Sequence, residues 1–385
     1  MTHYQAIVVG GGLTGSAAAI ALVKSGQHTL HLAPKGAPDR RTSALMMPSV
    51  DYLERAGLLE NPDSLGHPLT QIRIIDATNR LIRAPETLFD AREAGMVAFG
   101  WNFANAKLLE RFEAVAAALP DLVTQPLAVS HIASDDTGHH LTLSDGSIVH
   151  SQLLIGADGK NSLVRSSAGF KVNETAFEQA ALVCDLELAR PIGGTSIEFH
   201  YPNGPFTLVP AGGSKANLVW IDRLETLNAA RSLDTEAFTA KLVERSQRLF
   251  GAIKVLTPSF IFPLSTLSVA RPGADGVVLV GEAAHAFPPI GAQGLNLGLR
   301  DVADLAGVLA NADRTQPDWA NTVSRDYANR RAADLAQTGS MVDTLFRSLL
   351  AEMLPVQALR AGGLWALKLL PALRRQAFGI GMGKR

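Results

Sequence analysis

Three short strings in this sequence combine residue types at spacings that can do chemistry. The first, Gly10-Gly11-Gly12-Leu13-Thr14-Gly15, follows an apolar run and precedes an alanine-rich one. Gly10 permits a tight turn, Gly12 lets backbone approach a pyrophosphate, and Gly15 lets a strand and a helix pack closely. The free N–H groups at the start of the following helix attract an anion. In this context the G-x-G-x-x-G pattern predicts a dinucleotide-binding turn.

The second string runs from Gly156 to Arg165 and has the pattern D-G-x-x-S-x-x-R. Asp158 is placed either to cap the helix that follows or to accept a hydrogen bond from a ligand. Arg165, one turn beyond Ser162, can anchor this segment electrostatically. An Asp-Gly turn is common, so the longer pattern carries the information.

The third string begins with the apolar run Val277–Val280 and continues through Gly281 and Glu282 to His285. A proline- and glycine-rich loop, residues 287–296, then opens a long helical segment. The backbone N–H groups of Gly291–Gly294 suit the electron-rich pyrimidine end of a flavin, and Glu282 can bind a ribityl hydroxyl. This string therefore predicts the ring end of a flavin site.

One position of the dinucleotide pattern lacks its expected residue. An acid that binds ribose hydroxyls should stand about 20 residues after the glycines, but that position is Ala33. The nearby Lys35, Arg40 and Arg41 suggest a 2′-phosphate and hence NADP. The alternative is that backbone or water holds the ribose.

Composition excludes several classes of protein. The chain has 385 residues, of which 47% are apolar and 18% charged, with a net charge of −1, so it is neither disordered nor a strongly basic nucleic-acid binder. A single cysteine, Cys184, rules out an internal disulfide and a multi-cysteine zinc site. We expect no metal, because the sequence has no close His/Asp/Glu cluster with ligand spacing. Neither a signal peptide nor an 18-residue apolar run is present, which predicts a cytoplasmic protein.

The pattern of apolar runs predicts an α/β fold. Residues 6–9, 13–25 and 29–33 form a strand, a helix and a second strand, which is the opening of a Rossmann-like parallel sheet. Helices are also expected at residues 41–56 and 104–119.

Short alternating runs separated by Gly, Pro and Asn fill the middle of the chain and indicate a mostly antiparallel sheet. The nucleotide-binding domain is therefore split in sequence by a β-rich substrate domain, and the C-terminus is helical. The predicted boundaries are 1–174 and 271–345 for the two parts of the cofactor domain, 175–270 for the substrate domain, and 346–385 for a basic helical tail.

The three strings, in this order and spacing, resemble those of the FAD-dependent aromatic hydroxylases, the single-component class that resembles para-hydroxybenzoate hydroxylase. Within that class, Asp39–Leu45 resembles the D-x-R-x-x-A-L segment of the ubiquinone-biosynthesis hydroxylases. Residues 287–298 resemble the flavin loop of that subfamily, and Tyr201–Pro210 followed by Leu218–Trp220 resembles its substrate-domain strands. The likeness covers essentially the whole chain. It departs at Ala33, where the family has Glu, and at Glu282, where the family has Asp.

The resemblance implies roles for individual residues. Pro288 and Pro289 would lie over the flavin, either as part of the reacting face or only as a brace for the loop. His285 is either a base or, as we favour, a packing residue beneath the loop. The implied cofactor-binding residues are Gly10, Gly12, Leu13, Thr14, Gly15, Arg41, Asn105, Asp158, Arg165, Glu282, Pro289, Gly291, Ala292, Gln293, Gly294, Leu295 and Asn296.

The resemblance also implies a reaction. FAD would occupy the dinucleotide site, NAD(P)H would bind transiently to reduce it, and O₂ would form a C4a-hydroperoxide that hydroxylates a phenol. The expected substrate is a polyprenyl-phenol intermediate of ubiquinone biosynthesis. A small soluble phenolic compound is the alternative, and a basic residue facing the flavin would favour it. A flavin-binding assembly subunit without catalytic activity is the third possibility.

Residues 354–385 contain six Lys/Arg and no Asp or Glu, interspersed with Leu and Trp. This composition suits peripheral contact with anionic lipid at the inner membrane face. The alternative is an ordinary helix that packs on the body of the protein. A homodimer or a biosynthetic complex is expected only at the level of the family.

Overall fold

The computed structural model describes residues 2–36, 39–78, 83–350, 362, 363 and 365. The strands, numbered along the chain, are β1 (Thr2–Val9), β2 (Thr29–Leu32), β3 (Thr42–Met46), β4 (Gly66–Leu69), β5 (Gln71–Asp76), β6 (Thr87–Asp90), β7 (Gly100–Ala104), β8 (Leu122–Gln125), β9 (Val129–Asp135), β10 (Gly138–Leu143), β11 (Ile148–Gly156), β12 (Asn173–Leu188), β13 (Thr195–Tyr201), β14 (Gly204–Pro210), β15 (Lys215–Arg223), β16 (Ile253–Val255), β17 (Phe260–Ser268), β18 (Gly273–Ala274), β19 (Val277–Leu279) and β20 (His285–Ala286). The helices are α1 (Leu13–Lys24), α2 (Met47–Arg55), α3 (Asn105–Ala117), α4 (Leu163–Ser167), α5 (Leu224–Arg231), α6 (Thr235–Arg245), α7 (Gln293–Leu309) and α8 (Trp319–Leu350).

The first sheet has the strand order β18-β19-β11-β1-β2-β8, and the five strands from β19 to β8 are parallel. Residues Ala6–Val9 of β1 are all buried, as expected for a central strand with apolar side chains on both faces. Helices α1, α7 and α8 contribute to the core on one face, and the β9–β10 hairpin extends the sheet from β11. The predicted Rossmann-like opening is therefore confirmed.

The second sheet has the order β20-β17-β12-β15-β14-β13-β5-β6 and is antiparallel except where β13 pairs with β5. Helices α5 and α6 cover one face of it through Leu227, Ala230, Phe238 and Leu242. Because β5 and β6 come from residues 71–90, this sheet draws on more of the chain than residues 175–270. The domain boundaries stay predictions, whereas the α/β class with an inserted, mostly antiparallel sheet is confirmed.

One prediction of local structure needs correction. The segment 41–56 is not one helix, because Thr42–Met46 forms a strand against β7 and the helix begins only at Met47, with a proline in its first turn. Tertiary pairing outweighs the local pattern of the sequence there. Helices α5 and α6 lie beside the strands of the 175–270 segment, which is therefore mostly but not entirely sheet.

The predicted basic tail, residues 346–385, lies mostly outside the described residues, which include only its first five residues together with Gly362, Gly363 and Trp365. The indole of Trp365 is 47% exposed. Within the described part of the chain, none of the helices has the length and apolar character needed to cross a membrane.

Candidate functional site

The three strings meet at one edge of the first sheet. Strands β1, β11 and β19 are parallel neighbours, and Gly10, Gly156 and Gly281 of the three strings lie at their carboxyl ends. Ligands in open α/β sheets bind beyond that edge. The fold therefore brings together residues that are as many as 286 positions apart in the chain, from Gly10 to Asn296.

The glycine turn, residues 10–15, adopts its shape because its glycines have no side chains, which lets neighbouring backbone segments come into contact. Gly10 has φ +127°, and a Cβ built on it would overlap the carbonyl oxygen of Ala157. A Cβ on Gly15 would overlap the carbonyl oxygen of Gly10, so the strand and helix touch there. A Cβ on Gly12, in contrast, would meet nothing within 4 Å. Helix α1 has no side-chain cap and no acid in its first turn, so its free N–H groups border this open space.

A second helix N-terminus, that of α7, lies beside the first. A Cβ on Gly298 of α7 would lie 2.7 Å from the hydroxyl oxygen of Thr14, which shows how closely α1 and α7 cross. Ala292, the residue before α7, has φ 55°, and α7 lacks both a side-chain cap and an acid in its first turn. A Cβ on Gly294 would meet nothing within 4 Å. Two uncapped helix N-termini therefore adjoin open space in one region of the molecule.

Asn296 fixes the 287–296 loop to the first half of the chain. Its Oδ1 accepts a hydrogen bond from the backbone N–H of Met46 at 2.9 Å, and its Nδ2 donates to the carbonyl of Ala44 at 2.8 Å. Nδ2 also donates to the carbonyl of Ala292, at 2.5 Å. The side chain is buried and these contacts position the loop, whereas its contact with the flavin ring stays a prediction.

Arg41 and Asn105 belong to one hydrogen-bonded group around Asp39. The Arg41 guanidinium makes two hydrogen bonds of 2.9 Å to the Asp39 carboxylate, and Asn105 Nδ2 donates to the same carboxylate at 2.9 Å. Ser43 donates to Asn105 Oδ1 at 2.7 Å. The pKa of Arg41 is raised, mainly by its hydrogen bond to Asp39 and to a smaller extent by the negative charge of Glu282. Arg41 is therefore electrostatically coupled to the predicted ribityl-binding acid.

Asp158 and Arg165 make internal contacts. Asp158 accepts hydrogen bonds from the Ser162 hydroxyl at 2.5 Å and from the N–H of Val164 at 3.1 Å, which caps the short helix α4. Arg165 is buried and donates to the carbonyls of Ala283 and Lys160 at 2.9 and 2.6 Å. The cap explains Asp158 in structural terms, and Arg165 joins the second string to the segment that carries Glu282.

A buried charge network holds that segment, and the sequence analysis did not find it. Asp301 of α7 accepts hydrogen bonds from the N–H of Gly281 at 2.8 Å and from His285 Nε2 at 2.6 Å. Its other oxygen accepts from Arg331 Nε at 2.7 Å, and Arg331 Nη1 reaches Asp304 at 2.9 Å. Burial alone would raise the pKa of Asp301, but the charges of His285 and Arg331 hold it below the ordinary value.

The single Asp301 carboxylate thus contacts residues on both sides of Glu282, whose own side chain is exposed. His285 is 2% exposed and is committed to Asp301, which supports the packing interpretation over that of a base. A sequence signal did exist, since acids at positions 301 and 304 interrupt an otherwise apolar helix face. Buried acids of this kind require partners.

Pro288 is buried, whereas Pro289 is exposed, and the Pro288 carbonyl accepts a 2.7 Å hydrogen bond from the N–H of Ile290. This tight turn fits the role of a loop brace, and the reacting-face role stays a prediction. Among the described residues, no group of three or more His, Cys, Asp or Glu could hold a metal ion. Burial raises the pKa of the Cys184 thiol to about 12, so it is protonated and not a nucleophile.

The open positions at Gly12 and Gly294 and the two uncapped helix N-termini fit a dinucleotide whose pyrophosphate lies at α1 and whose ring lies at α7. The α1 turn would hold the pyrophosphate of FAD, and the α7 turn would donate N–H groups to the flavin ring. Such a fold and site define a protein that binds a dinucleotide cofactor at the carboxyl edge of its parallel sheet.

The chain belongs to the FAD binding domain family, which it matches over residues 3–337. It is 30% identical to ubiquinone hydroxylase UbiL of Rhodospirillum rubrum, over 98% of this chain and 89% of that protein. It is 28% identical to 3-demethoxyubiquinol 3-hydroxylase of Escherichia coli, over 98% and 97% of the two chains. The crystal structure of p-nitrophenol 4-monooxygenase PnpA from Pseudomonas putida superposes with a TM-score of 0.82 at 19% identity over the whole of both chains, and shows the shared fold.

These comparisons confirm the predicted resemblance to the FAD-dependent aromatic hydroxylases, and with it FAD as the cofactor. The roles of the individual site residues stay predictions. Most of them lie together at the carboxyl edge of the first sheet or on elements that pack against it.

Proposed function

We propose that this protein hydroxylates an aromatic ring that carries a polyprenyl tail, an intermediate of ubiquinone biosynthesis, with NAD(P)H and O₂ as co-substrates. The two curated relatives described above are named for hydroxylation in that chemistry. The observation that carries the choice of a tailed substrate is the apolar face of the second sheet beside the 287–296 loop.

This face begins at a buried cluster. Ala181, Ile221 and Leu264, on three different strands, pack together with Ile290 of the loop, and Phe177 and Val219 join them. Since Ile290 directly follows the two prolines predicted to lie over the flavin, the cluster adjoins the predicted reaction site. An apolar wall there excludes water and suits a hydrophobic substrate.

The same face continues outward along strand β17. Phe262 pairs with Ala181 and Phe260 pairs with Val183, so by strand alternation both rings share the face of Leu264. The two phenylalanines are 44% and 43% exposed. A continuous apolar surface therefore leads from the loop to solvent, in the manner required to accommodate an isoprenoid tail.

A small phenolic acid would need a cation on this face. From Phe262 the row continues through Ala181 to Ile221, and both of these side chains are apolar. On β13 of the same sheet, the polar His200 pairs with Pro205 of β14 and contacts Glu198 at 3.3 Å. Arg223 lies at the end of β15 on the same face and is exposed. It is the basic residue that the alternative substrate would use, and the experiment below separates the two.

FAD supplies hydride acceptance from NAD(P)H and activation of O₂ when it is bound. The chain's own contribution is to bind and orient. The N–H groups at the start of α7 would stabilise negative charge on the ring, and Asn296 holds the loop that carries them. The apolar face would position the substrate ring and exclude water. The protein needs no nucleophile for this chemistry, and Cys184 is not available as one.

The test supplies purified protein with FAD, NAD(P)H and either a phenol with a short isoprenoid tail or a hydroxybenzoic acid. We expect the tailed phenol to stimulate NAD(P)H oxidation and to be recovered with one added oxygen from O₂, as measured by mass spectrometry. Stimulation by the hydroxybenzoic acid alone would select the small-phenol alternative. Flavin binding without stimulation by either compound would indicate a non-catalytic subunit.

Variants locate the tail site. Phe262→Ala should raise KM for the tailed phenol roughly tenfold, because a contact with a partly buried aromatic side chain is lost, and should leave kcat unchanged. Leu88→Ala removes a similarly exposed apolar side chain (43%) on strand β6 and serves as the matched control. Arg223→Ala should leave KM for the tailed phenol unchanged, and an increase in that KM would contradict the assignment of the apolar face.

A tailed substrate resides in lipid, so we also propose that the basic tail contacts an anionic membrane surface. The supporting observation is its excess of cations, six Lys/Arg without an acid over residues 354–385. Truncation after Glu352 should abolish flotation with anionic liposomes while FAD stays bound. Unchanged flotation would favour the alternative, in which the tail is an ordinary helix that packs on the body of the protein. Gel filtration of both forms would test whether a homodimer or a larger complex depends on the tail.

A further inference from the structure

A cavity of about 350 Å³ lies behind the glycine turn, at the end of the site remote from the 287–296 loop. Its volume falls within the range of small-molecule sites, roughly 300–1,000 Å³. Its lining includes Gly11 of the turn, His31 and Ala33, and Glu113, Ala116 and Ala117 of α3. The cavity thus adjoins the predicted pyrophosphate position at the end of β2, where a dinucleotide places its adenosine.

Ala33 belongs to this lining, and its methyl group replaces the carboxylate that the dinucleotide pattern expects there. The nearby cations do not fill the role. Arg41 is paired with Asp39 through two hydrogen bonds of 2.9 Å, and neither Lys35 nor Arg40 lines the cavity. The interpretation as a site for an NADP phosphate therefore loses its support.

Glu113 is the one carboxylate among the described residues that line the cavity. It lies on α3, which packs against α1, and the next positions on the same helix face are Ala116 and Ala117. The small side chains of Ala116 and Ala117 leave room for a ring in the cavity, and the Glu113 carboxylate beside them supplies a hydrogen-bond acceptor. Glu113 approaches the cavity from the helix rather than from the strand end.

His31 adds a second polar group. It is 4% exposed, and its Nε2 is 2.9 Å from the carbonyl oxygen of Gly10, so Nε2 carries the proton and donates it. Burial lowers the pKa of His31, which keeps the ring neutral. Among the described residues, its other nitrogen, Nδ1, has no hydrogen-bond partner in the part of the molecule that surrounds the cavity. A neutral imidazole of this tautomer presents Nδ1 as an acceptor.

We propose that Glu113 binds the adenosine ribose of FAD through its 2′- and 3′-hydroxyls, with His31 as an additional acceptor, and that it replaces the acid missing at Ala33. A carboxylate that accepts two hydroxyl hydrogen bonds forms a charge-assisted pair of contacts. The ligand is the adenosine half of the cofactor, so the inference is independent of which ring the enzyme hydroxylates.

The test compares FAD with an analogue that lacks the adenosine 2′-hydroxyl, and measures both dissociation constants from the quenching of flavin fluorescence. The full-length protein should bind FAD about ten- to a hundredfold more tightly than the analogue, the range for a hydrogen bond to a charged group. In Glu113→Ala this preference should disappear because FAD binding weakens while analogue binding changes little. Alanine is a strong helix former, so α3 is preserved.

Glu110→Ala, on the same helix but outside the cavity lining, is the matched control and should keep the preference. Ala33→Glu added to Glu113→Ala should restore it, since the acid returns to its usual position. The proposal is overturned if Glu113→Ala retains the preference for FAD, or if both ligands lose affinity equally. Neither readout involves hydroxylation, so this result and that of the proposed function stay distinguishable.

Discussion

The two ends of the cofactor site are held in different ways. The glycine turn is shaped by side chains that are absent, since Gly10 and Gly15 allow backbone atoms to touch and Gly12 leaves space. The opposite end, residues 281–296, is held by side chains that are present and charged, with Asp301 at the centre of the contacts. One end depends on local sterics, and the other depends on partners from two later helices.

This difference determines how each end responds to mutation and to pH. A steric contact of backbone on backbone carries no charge, so a glycine substitution there acts through volume alone. The pH dependence of this end comes instead from His31, which contacts the Gly10 carbonyl. A buried charge network acts through desolvation, and the loss of one member leaves the others without compensation. Substitutions that alter only one of these two mechanisms therefore test whether the two ends of the site are held independently.

The largest effect is expected from Asp301→Asn. The change removes the charge that faces Arg331, a side chain with 0% exposure, and breaking a buried pair costs about 3–5 kcal/mol. The urea midpoint of unfolding should fall accordingly, and FAD should be lost on a desalting column. Asp326→Asn is the matched control, because Asp326 is exposed and its 3.7 Å ion pair with Arg325 contributes little. Equal midpoints for the two variants would contradict the central role of the network.

A smaller loss of stability is expected from Gly15→Ala. The added methyl group would overlap the carbonyl oxygen of Gly10, and no side-chain rotation can relieve a contact with backbone. Overpacking of this kind costs about 1–3 kcal/mol. Thermal unfolding of the flavin-free protein is the measurement. An unchanged melting temperature would show that the strand and helix can separate there at little cost.

Gly12→Ala should separate binding from folding in the same turn. The added methyl group meets no atom within 4 Å, so the stability of the flavin-free protein should change by less than about 0.5 kcal/mol. The same methyl group would occupy the space into which a pyrophosphate approaches, and FAD affinity should fall about tenfold or more. Gly36→Ala, another position with open space but outside the turn, should change neither quantity. Normal FAD affinity in Gly12→Ala would show that the pyrophosphate does not bind next to Gly12.

Sequence reasoning succeeded where contacts are local. The glycine turn, the first strand and helix, and helix α3 all follow from patterns within a few residues, and the structure confirms each of them. The fold class follows as well, since the βαβ opening and the inserted alternating runs are both strong periodic signals.

It failed where distant segments decide. The strand Thr42–Met46 exists because it pairs with β7, about 60 residues later, and β5 joins the second sheet through β13. The network around Asp301 depends on Arg331, which lies on a different helix. A local window contains neither partner, so these elements were misassigned or missed for the same physical reason.

Acidification should separate the two ends of the site, with the smallest effect of the set. Burial lowers the pKa of His31 at the glycine turn below 6.5, so the unfolded chain binds a proton that the folded protein excludes. Stability from this group is therefore present above pH 6.5 and is lost as the pH falls below it. The pKa of Asp301 is lowered instead from 3.8, so its contribution persists until the pH falls through its lower folded value.

Between about pH 6.5 and pH 4, only the glycine-turn end should therefore weaken. The buried histidines His139 and His150 have lowered pKa values too and add to the slope of stability against pH. Both histidines are present in His31→Gln and in the unmodified protein, so their contribution cancels when the two are compared. His31→Gln should lose less stability to urea between about pH 7.5 and 5 than the unmodified protein. A slope that His31→Gln leaves unchanged would mean that His31 takes up protons equally in the folded and unfolded states. In that case burial would not favour the neutral ring that the adenosine cavity requires as an acceptor.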